Sequence, residues 1–324
     1  MNKRERQQYS TNFSMVGKTM TVTGAIEPRA MGRTLPHEHV MSTFGAERAR
    51  YPYYDVHRLF EGVLPYLQYV KSLGCQTLVD CTAAYFGRHP EMLRKFSQQS
   101  GLHILTNTGY YGAAGGMYVP PHAYEETVEQ LAGRWVREWQ DSIDGTGIRP
   151  GFIKTGIDEG PLSEIDRKLI RAAARTHAQT GLTIQTHTKD NWGAAQEILS
   201  ILRSEGVHPN AWIWVHAHHV TDGAPLTEAA EQGAWISFDG INEESAPHIL
   251  ELVKETKRIG FLDHVLLSHD GDSYYGDGES RPYHYLFTGF VPTLEQNGFS
   301  AQEIDQLTID NPRRAFTVRV RTLG

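Results

Sequence analysis

Eight short runs rich in β-branched and other apolar residues recur along the 324-residue chain, and amphipathic helical patterns separate most of them. The runs are GRTLPHEHV, QTLVDCT, HILTNTG, GFIKTGI, LTIQTHT, WIWVHAH, AWISFDG and HVLLSHD. Repeated strand-then-helix units predict an α/β fold with a parallel sheet. Eight units in one chain favour a (β/α)8 TIM barrel, which typically needs roughly 250 residues. A Rossmann-like doubly wound sheet is the alternative, and it is disfavoured because no GxGxxG follows the first run.

The chain shows no linker, low-complexity block or sequence repeat, so we expect one domain over residues 1–324, with 1–17 as a poorly ordered N-terminal extension. The segment TMTVTGAIEP predicts a short N-terminal β-hairpin before the barrel. Near the end, SAQEIDQL has the pattern of a helix capping box. The irregular stretches 109–124 and 271–292 follow the third and eighth predicted strands. Because loops after the strands form the active-site face of such a barrel, both are candidate substrate walls.

Charge and composition exclude several classes of function. A net charge of −7 and a pI near 6.1 argue against a nucleic-acid partner, since phosphate binding leaves a basic patch on the surface. No run approaches the roughly 18 apolar residues of a membrane span, so we expect a soluble cytoplasmic protein. Cys75 and Cys81 form no CxxC pair, which indicates neither a disulfide framework nor a thiolate zinc site.

Polar side chains at the C-terminal ends of the predicted strands point to a metal site. In a strand, the two histidines of PHEH share one face while Glu38 points to the other. A histidine, lysine or aspartate alone has an ordinary explanation as a core histidine, a snorkelling lysine or a helix cap. Together they converge on one face, where an ionised Lys or Asp is costly unless it is paired or bound to metal. The candidates are His37, His39, Lys154, His187, either His216 or His218, and Asp270.

These motifs resemble the phosphotriesterase-like family of the amidohydrolase superfamily. The match runs from about TVTGAIEP to NPRRAF and includes TLPHEHV, LVDCT with FGR, TNTGYY, GFIKTGI, TIQTHT, WVHAHH and VLLSHD. The resemblance implies that the site holds two divalent metal ions, expected to be zinc with manganese or cobalt as alternatives. It also implies a homodimer.

The resemblance further implies a role for each candidate residue. His37 and His39 would bind one buried ion, and Lys154 would be carboxylated (N6-carboxylysine) and bridge the two ions. The second ion would be bound by His187 and His216, with His218 kept as the alternative ligand. Asp270 would bind the first ion and act as the catalytic residue that manages a proton.

The chemistry explains why these residue types are needed. A cationic lysine cannot bind metal, whereas its carbamate offers two anionic oxygens once burial has neutralised the amine. Two ions roughly 3.5–4 Å apart lower the pKa of a bridging water, so that hydroxide is available as the nucleophile near neutral pH. A serine nucleophile is not required, and the sequence contains no GxSxG.

The sequence departs from the phosphotriester-hydrolysing branch of the family at the proton relay. The matching positions hold His219 and Gly240, which weakens transfer of that activity. Tyr111, where the family has an aromatic wall, is more similar to the lactonase branch, although it could be a packed core tyrosine. Arg281 is a candidate for binding an anionic substrate group, and the alternative is a solvated loop arginine.

The leading hypothesis is therefore a binuclear metal-dependent hydrolase of a small-molecule ester, above all a lactone. The enzymatic alternatives are an amidase of N-acylated small molecules and a phosphotriesterase. The alternative from another class is a protein that binds metal and ligand without turnover.

Overall fold

The structure, a computed structural model, describes residues 15–188, 192–220, 223–275 and 279–323. Residues 1–14 of the predicted N-terminal extension lie outside these ranges, and so do 276–278 of the predicted loop 271–292.

Eight parallel strand positions form the centre of the fold. They are occupied by β3 (Thr34–Glu38), β4 (Thr77–Asp80), β5 and β6 (His103–Leu105 and Asn107–Thr108), β7 (Phe152–Gly156), β8 (Ile184–His187), β9 (Trp212–Val215), β10 (Trp235–Phe238) and β11 (Val265–Leu267). The third position is shared by β5 and β6, which are separated by Thr106 alone. Hydrogen-bonded neighbours run in the order β3-β4-β5 and then β6 through β11.

The ring closes where the eighth strand position meets the first. The backbone N–H of Asp270 donates to His37 O over 3.2 Å, and that of His39 donates to Gly271 O over 2.8 Å. The predicted (β/α)8 TIM barrel is confirmed, and strands one and eight carry their candidate residues side by side.

Helices cover the outside of this ring. They are α1 (Val56–Ser72), α2 (Pro90–Ser100), α3 (Pro121–Glu125), α4 (Val128–Asp141), α5 (Glu164–Thr180), α6 (Trp192–Ser204), α7 (Ala224–Glu231), α8 (Ala246–Arg258), α9 (Val291–Gln296), α10 (Ala301–Asp305) and α11 (Asn311–Phe316). One-turn 3-10 segments lie at Pro28–Met31, Ile143–Gly145, Pro209–Ala211, Ala217–His219 and Leu262–His264, and π-helical segments at Leu286–Phe290 and Gln306–Asp310.

Local sequence signals explain several helix ends. The predicted capping box at Ser300 is confirmed, because Ser300 Oγ accepts from the backbone of Glu303 while Glu303 accepts from the Ser300 N–H. A second box, Ser163 with Asp166, begins α5. That helix ends at Gly181, whose φ of 76° is the left-handed conformation that glycine adopts without strain.

The predicted N-terminal hairpin is confirmed as β1 (Thr19–Thr21) and β2 (Gly24–Ile26), which pair antiparallel. The N–H of Val22 donates to Ile104 O over 2.8 Å, which attaches the hairpin to the third strand position. Met20 and Val22 are buried in the same apolar cluster as the outer faces of the strands and the helices.

Apolar side chains fill the inside of the barrel below the candidate site. Residues from most of the strand positions contribute to this plug, including Leu105, Phe152, Ile213 and Leu266, each fully buried. Burial of a side chain of this size stabilises the fold by about 1.5–3 kcal/mol. This apolar plug closes the barrel below the candidate site. The polar residues at the strand ends are therefore accessible from one side of the barrel only.

Within the part of the chain that the structure describes, no helix is both long and apolar enough to cross a bilayer. Cys75 and Cys81 are both buried and free.

Candidate metal centre

The two histidines of the PHEH motif meet the aspartate of the eighth strand position. His37 Nε2 and His39 Nε2 lie 3.3 Å and 3.2 Å from Asp270 Oδ1. Asp270 has a φ of 54°, so the chain turns sharply after β11 and brings this carboxylate over the end of β3. Both histidines are buried, whereas 27% of the Asp270 side chain is exposed. The three side chains form an open-sided group of ligand atoms.

The tautomer of His39 is set by a threonine on the neighbouring strand position. Thr82 Oγ1 lies 2.8 Å from His39 Nδ1 and donates to the carbonyl of Met41 at 3.0 Å. Because Thr82 donates its hydroxyl proton to Met41, Thr82 Oγ1 accepts a hydrogen bond from the Nδ1–H of His39. The lone pair of His39 Nε2 then faces Asp270.

A second pair of histidines, on the fifth and sixth strand positions, lies beside the first, with the rings of His37 and His216 centred 5.4 Å apart. His216 Nε2 is 2.7 Å from His187 Nδ1. Asp239 is fully buried, and its Oδ1 lies 2.7 Å from His216 Nδ1. The same carboxylate accepts a hydrogen bond from the His216 backbone N–H. Since the carboxylate takes the proton of His216 Nδ1, the lone pair of Nε2 faces His187.

His218 takes a different direction from His216. The strand β9 ends at Val215, and His216 has a φ of 64°, so the two histidines no longer share a strand face. A Cβ placed on Gly240 would lie 2.4 Å from His218 Nε2. His218 therefore fills the space that a side chain at position 240 would need, with its Nδ1 3.4 Å from Asp239.

Lys154, on β7, is 1% exposed and lines the same cavity as His37, His39 and His187. Burial lowers the pKa of its amine, although Cys81 and Asp270 act in the opposite direction. A lowered pKa increases the fraction of neutral, nucleophilic amine at neutral pH.

The pKa values of His37, His187 and Asp270 favour metal binding at neutral pH. Burial lowers the pKa of His37 to about 4, with Lys154 as the next cause. Burial and the neighbouring His216 hold the pKa of His187 well below its ordinary value. Burial alone would raise the pKa of Asp270, but the adjacent imidazoles of His37 and His39 outweigh burial and hold this pKa well below the ordinary value. The imidazoles of His37 and His187 are therefore neutral and the Asp270 carboxylate is ionised at neutral pH. Burial would lower the pKa of His216, but the adjacent Asp239 carboxylate outweighs burial and raises it.

These contacts fit a bound cation. The lone pairs of His39 Nε2 and Asp270 Oδ1 face each other, and a cation between them would remove the repulsion. Among the described residues, two groups of side chains bring metal-binding atoms within 4.8 Å of one another. They are His37, His39 and Asp270, and His216, His218 and Asp239. In the second group, Asp239 already accepts the proton of His216, so we regard His187 as the better partner of His216.

A cavity of about 370 Å³ opens above the candidate ligands. One wall is aromatic, with the rings of Phe86 and Tyr111 centred 5.0 Å apart and Phe44 completing the wall. Tyr111 is buried and its ring lies 5.3 Å from that of His187. Gly156 allows this approach, because a Cβ there would be 2.6 Å from the Tyr111 ring.

Arg281 lies on the opposite side of the cavity, on the hairpin strand β13 (Glu279–Arg281). Its Nη1 is 3.6 Å from Asp270 Oδ2, while 54% of the side chain is exposed. A second cavity, of about 760 Å³, shares Arg281 and Asp270 and is lined by His218, exposed His219 and Gly240. The two positions that depart from the family relay therefore border this second cavity.

Sequence reasoning missed Phe44, Phe86 and Thr82 as site residues. Phe86 and Thr82 lie beyond β4, in motifs that the resemblance had already included as FGR and LVDCT, so their place after a strand was a usable signal. Phe44 belongs to the segment after β3, which reaches the cavity through long-range contacts such as Gly45 N with the Tyr118 hydroxyl. No local pattern indicates that contact.

Known proteins resemble this chain over most of its length. The model of the Phosphotriesterase family matches residues 17–316. A phosphotriesterase homology protein of Escherichia coli is 29% identical over 249 residues, covering 75% of this chain and 84% of its own. The N-acetyltaurine hydrolase of Homo sapiens is 26% identical, covering 94% of this chain and 99% of its own.

A solved structure, the organophosphorus hydrolase from Deinococcus radiodurans, superposes with a TM-score of 0.83 at 28% identity. The superposition covers 93% of this chain and 97% of that one. With its barrel, its two His/Asp groups and this match over nearly the whole chain, the protein belongs to the phosphotriesterase family.

Proposed function

We propose that the protein is a binuclear metal-dependent hydrolase of small carbonyl esters, with lactones as the leading substrate class. The observation that carries this proposal is the convergence of three histidines, a buried lysine and an aspartate on one cavity, with His216 joined to them through its contact with His187. His37, His39 and Asp270 would hold one ion, and His187 and His216 the other. The donors are nitrogen and oxygen atoms, which suit zinc, with manganese or cobalt as alternatives.

Lys154 would join the two ligand groups as a carbamate. The neutral amine adds to carbon dioxide, the new N–C bond forms, and the amine proton is released to solvent. The product is a carbamate, whose two oxygens share a negative charge. An unmodified lysine offers no anionic atom at this position. The lowered pKa of Lys154 and its place in the cavity beside His37, His39 and His187 support this modification.

When bound, two divalent ions lower the pKa of coordinated water and polarise a carbonyl oxygen. The protein's own residues supply the rest. Asp270 accepts a proton from the attacking water and passes it to the leaving group. Asp239 and Thr82 fix the tautomers of His216 and His39, so that Nε2 of each imidazole is free to bind metal. The aromatic wall excludes water from one side of the substrate.

Size and polarity of the cavity favour a small substrate with an apolar part. A volume of about 370 Å³ suits a compact molecule, and Phe44, Phe86 and Tyr111 can pack against a lactone ring or acyl chain. The phosphotriester branch relies on a relay that His219 and Gly240 do not reproduce. We therefore place phosphotriester hydrolysis below carbonyl hydrolysis.

Amide hydrolysis is the second candidate, and two observations favour it. Relatives called N-acetyltaurine hydrolases match over 94% of this chain. Arg281 lies at the rim of the cavity, where a cation can bind the anionic end of an N-acylated molecule. The same metal-binding residues and Asp270 would act on the carbonyl of an ester or on that of an amide.

A substrate panel tests the proposal. The purified, metal-loaded protein is assayed with lactones, aryl esters, N-acyl amino acids, N-acetyltaurine and a dialkyl aryl phosphotriester. We expect the largest kcat/KM for a lactone and a phosphotriester rate well below it. A larger value for an N-acyl compound would favour the amidase reading, and absence of carbonyl hydrolysis throughout the panel would refute the proposal.

Arg281→Ala is expected to raise KM by roughly tenfold or more for a substrate with an anionic group away from the scissile carbonyl. The reason is the loss of a charge-assisted hydrogen bond worth about 1.5–3 kcal/mol. A neutral lactone should show little change. KM for one anionic and one neutral substrate is measured on both proteins.

Arg281→Lys is the matched control, because it keeps the charge and loses only the planar fork. Equal losses on both substrates would indicate a disturbed hairpin β12 (Asp272–Tyr275) to β13 rather than a lost anion contact. An unchanged KM for both the anionic and the neutral substrate would show that Arg281 is a solvated loop residue with no part in substrate binding.

A further inference from the structure

Glu38, between the two histidines of the PHEH motif, points to the opposite face of β3 and is fully buried. Its carboxylate accepts four hydrogen bonds from the turn after β11. Oε1 accepts from Ser268 Oγ at 2.7 Å, from the His269 N–H at 3.0 Å and from His269 Nδ1 at 2.7 Å. Oε2 accepts from the Gly271 N–H at 2.7 Å. One carboxylate thus ties the first strand position to the turn of the eighth.

That turn carries Asp270, which these hydrogen bonds flank on both sides. With a φ of 54°, Asp270 has a backbone conformation that residues with a Cβ rarely adopt unless their surroundings impose it. The donors at 269 and 271 hold the peptides before and after it. The conformation held in this way aims Asp270 Oδ1 at His37 and His39.

The tautomer of His269 shows that its ring donates a hydrogen bond to Glu38. The N–H of Leu286 donates to His269 Nε2 at 2.8 Å, so the proton of this imidazole is on Nδ1 and is donated to Glu38. Both oxygens of Glu38 therefore accept. A glutamine would place an NH₂ group where one of these oxygens receives a proton, and two donors would face each other.

We propose that Glu38 is a positioning residue for hydrolysis, holding Asp270 in the orientation in which it contacts His37 and His39 and manages the proton. This inference rests on the proposed function. Glu38, the middle residue of the motif, would then affect the rate of hydrolysis through Asp270. A purely structural carboxylate would only stabilise the junction of the first and eighth strand positions.

A double-mutant cycle tests the proposal with Glu38→Gln, Asp270→Asn and the double variant, all loaded with metal. Glu38→Gln is expected to lower kcat by about 10–100-fold, the usual effect of losing a residue that orients a ligand. KM should change little, and the loss should grow as the leaving group becomes poorer. The double variant should be no slower than Asp270→Asn, because both changes remove the same contribution.

Metal retention gives a readout that does not depend on turnover. After dialysis against a weak chelator, Glu38→Gln should retain less metal than wild type, since Asp270 is misaligned. Asp166→Asn is the matched control, because Asp166 is also a buried carboxylate but caps α5 through Ser163. It is expected to lower Tm while kcat and metal content remain at the wild-type values.

Multiplicative losses in the double variant, or a loss that is independent of the leaving group, would overturn the proposal. Should Glu38→Gln fail to fold, Ser268→Ala removes one donor to Glu38, together with the acceptor of the His37 N–H, and should give a smaller loss with the same dependence on the leaving group. A Ser268→Ala loss without that dependence would also overturn it. A wild-type protein without metal or hydrolysis would refute the proposed function instead, whereas an active wild type with an unimpaired Glu38→Gln refutes this inference alone.

Discussion

Replacing Lys154 with alanine is expected to abolish metal binding and hydrolysis together. The side chain is 1% exposed and lines the same cavity as His37, His187 and Asp270, where its carbamate would bridge the two ions. Because changes to residues that merely orient a ligand cost about 10–100-fold, loss of the bridge itself should lower kcat/KM by more than about a hundredfold. Elemental analysis and the substrate panel measure both effects on one preparation.

Rescue and a matched control separate this effect from general damage to the fold. A short carboxylate such as formate or acetate can enter the space left by Lys154→Ala and should restore part of the metal and part of the rate. Lys168→Ala removes a lysine that donates to the carbonyls of Ala123, Tyr124 and Glu126 on the outside of the barrel. That variant should keep its metal. A fully metallated and active Lys154→Ala protein would show that the lysine is only structural.

Asp270→Asn should lower kcat by about 10²–10⁴-fold on a substrate with a poor leaving group, the range typical of general acid–base catalysis. An amide can still bind metal weakly but cannot accept a proton, so metal content should fall less than the rate. The Asp270 carboxylate is ionised throughout the neutral range, because its pKa lies well below the ordinary value. Steady-state kinetics across a series of leaving groups gives the measurement.

Substrates with good leaving groups provide the internal control, since their departure needs little proton transfer and the loss should be smaller. A rate within about twofold of wild type on the poorest leaving group would place proton management on another residue. His219, exposed at the second cavity, would then be the next residue to replace.

The fold and the floor of the site follow from sequence because they depend on periodicity and on strand ends. Parallel strands in a ring bring their C-terminal ends to one face, so residues placed at strand ends from local patterns must meet. His37, His39, Lys154, His187 and Asp270 line one cavity for this reason. The alternation of a strand also predicted that Glu38 points away from the two histidines, and it does.

Sequence periodicity could not decide between His216 and His218. In an extended strand the two would share a face, but β9 ends at Val215 and His216 takes a left-handed conformation. That turn depends on Asp239, which comes from another strand position and accepts from the His216 backbone. A contact so distant along the chain leaves no trace in local spacing.

The aromatic wall was only partly predictable for a related reason. Tyr111 follows the third strand position and was identified, whereas Phe44 belongs to the segment after β3, whose path is set by contacts such as Gly45 with Tyr118. Loop paths depend on such tertiary contacts more than on local propensity.

Metal stoichiometry tests directly whether the protein holds two ions at His37, His39, Lys154, His187, His216 and Asp270. The protein is produced with zinc, manganese or cobalt and with bicarbonate, dialysed, and analysed for metal per chain while hydrolysis is followed with and without a strong chelator. We expect about two divalent ions per chain, bound with bicarbonate dependence through Lys154, and loss of hydrolysis on chelation. Hydrolysis that persists in protein shown to contain no metal would contradict it.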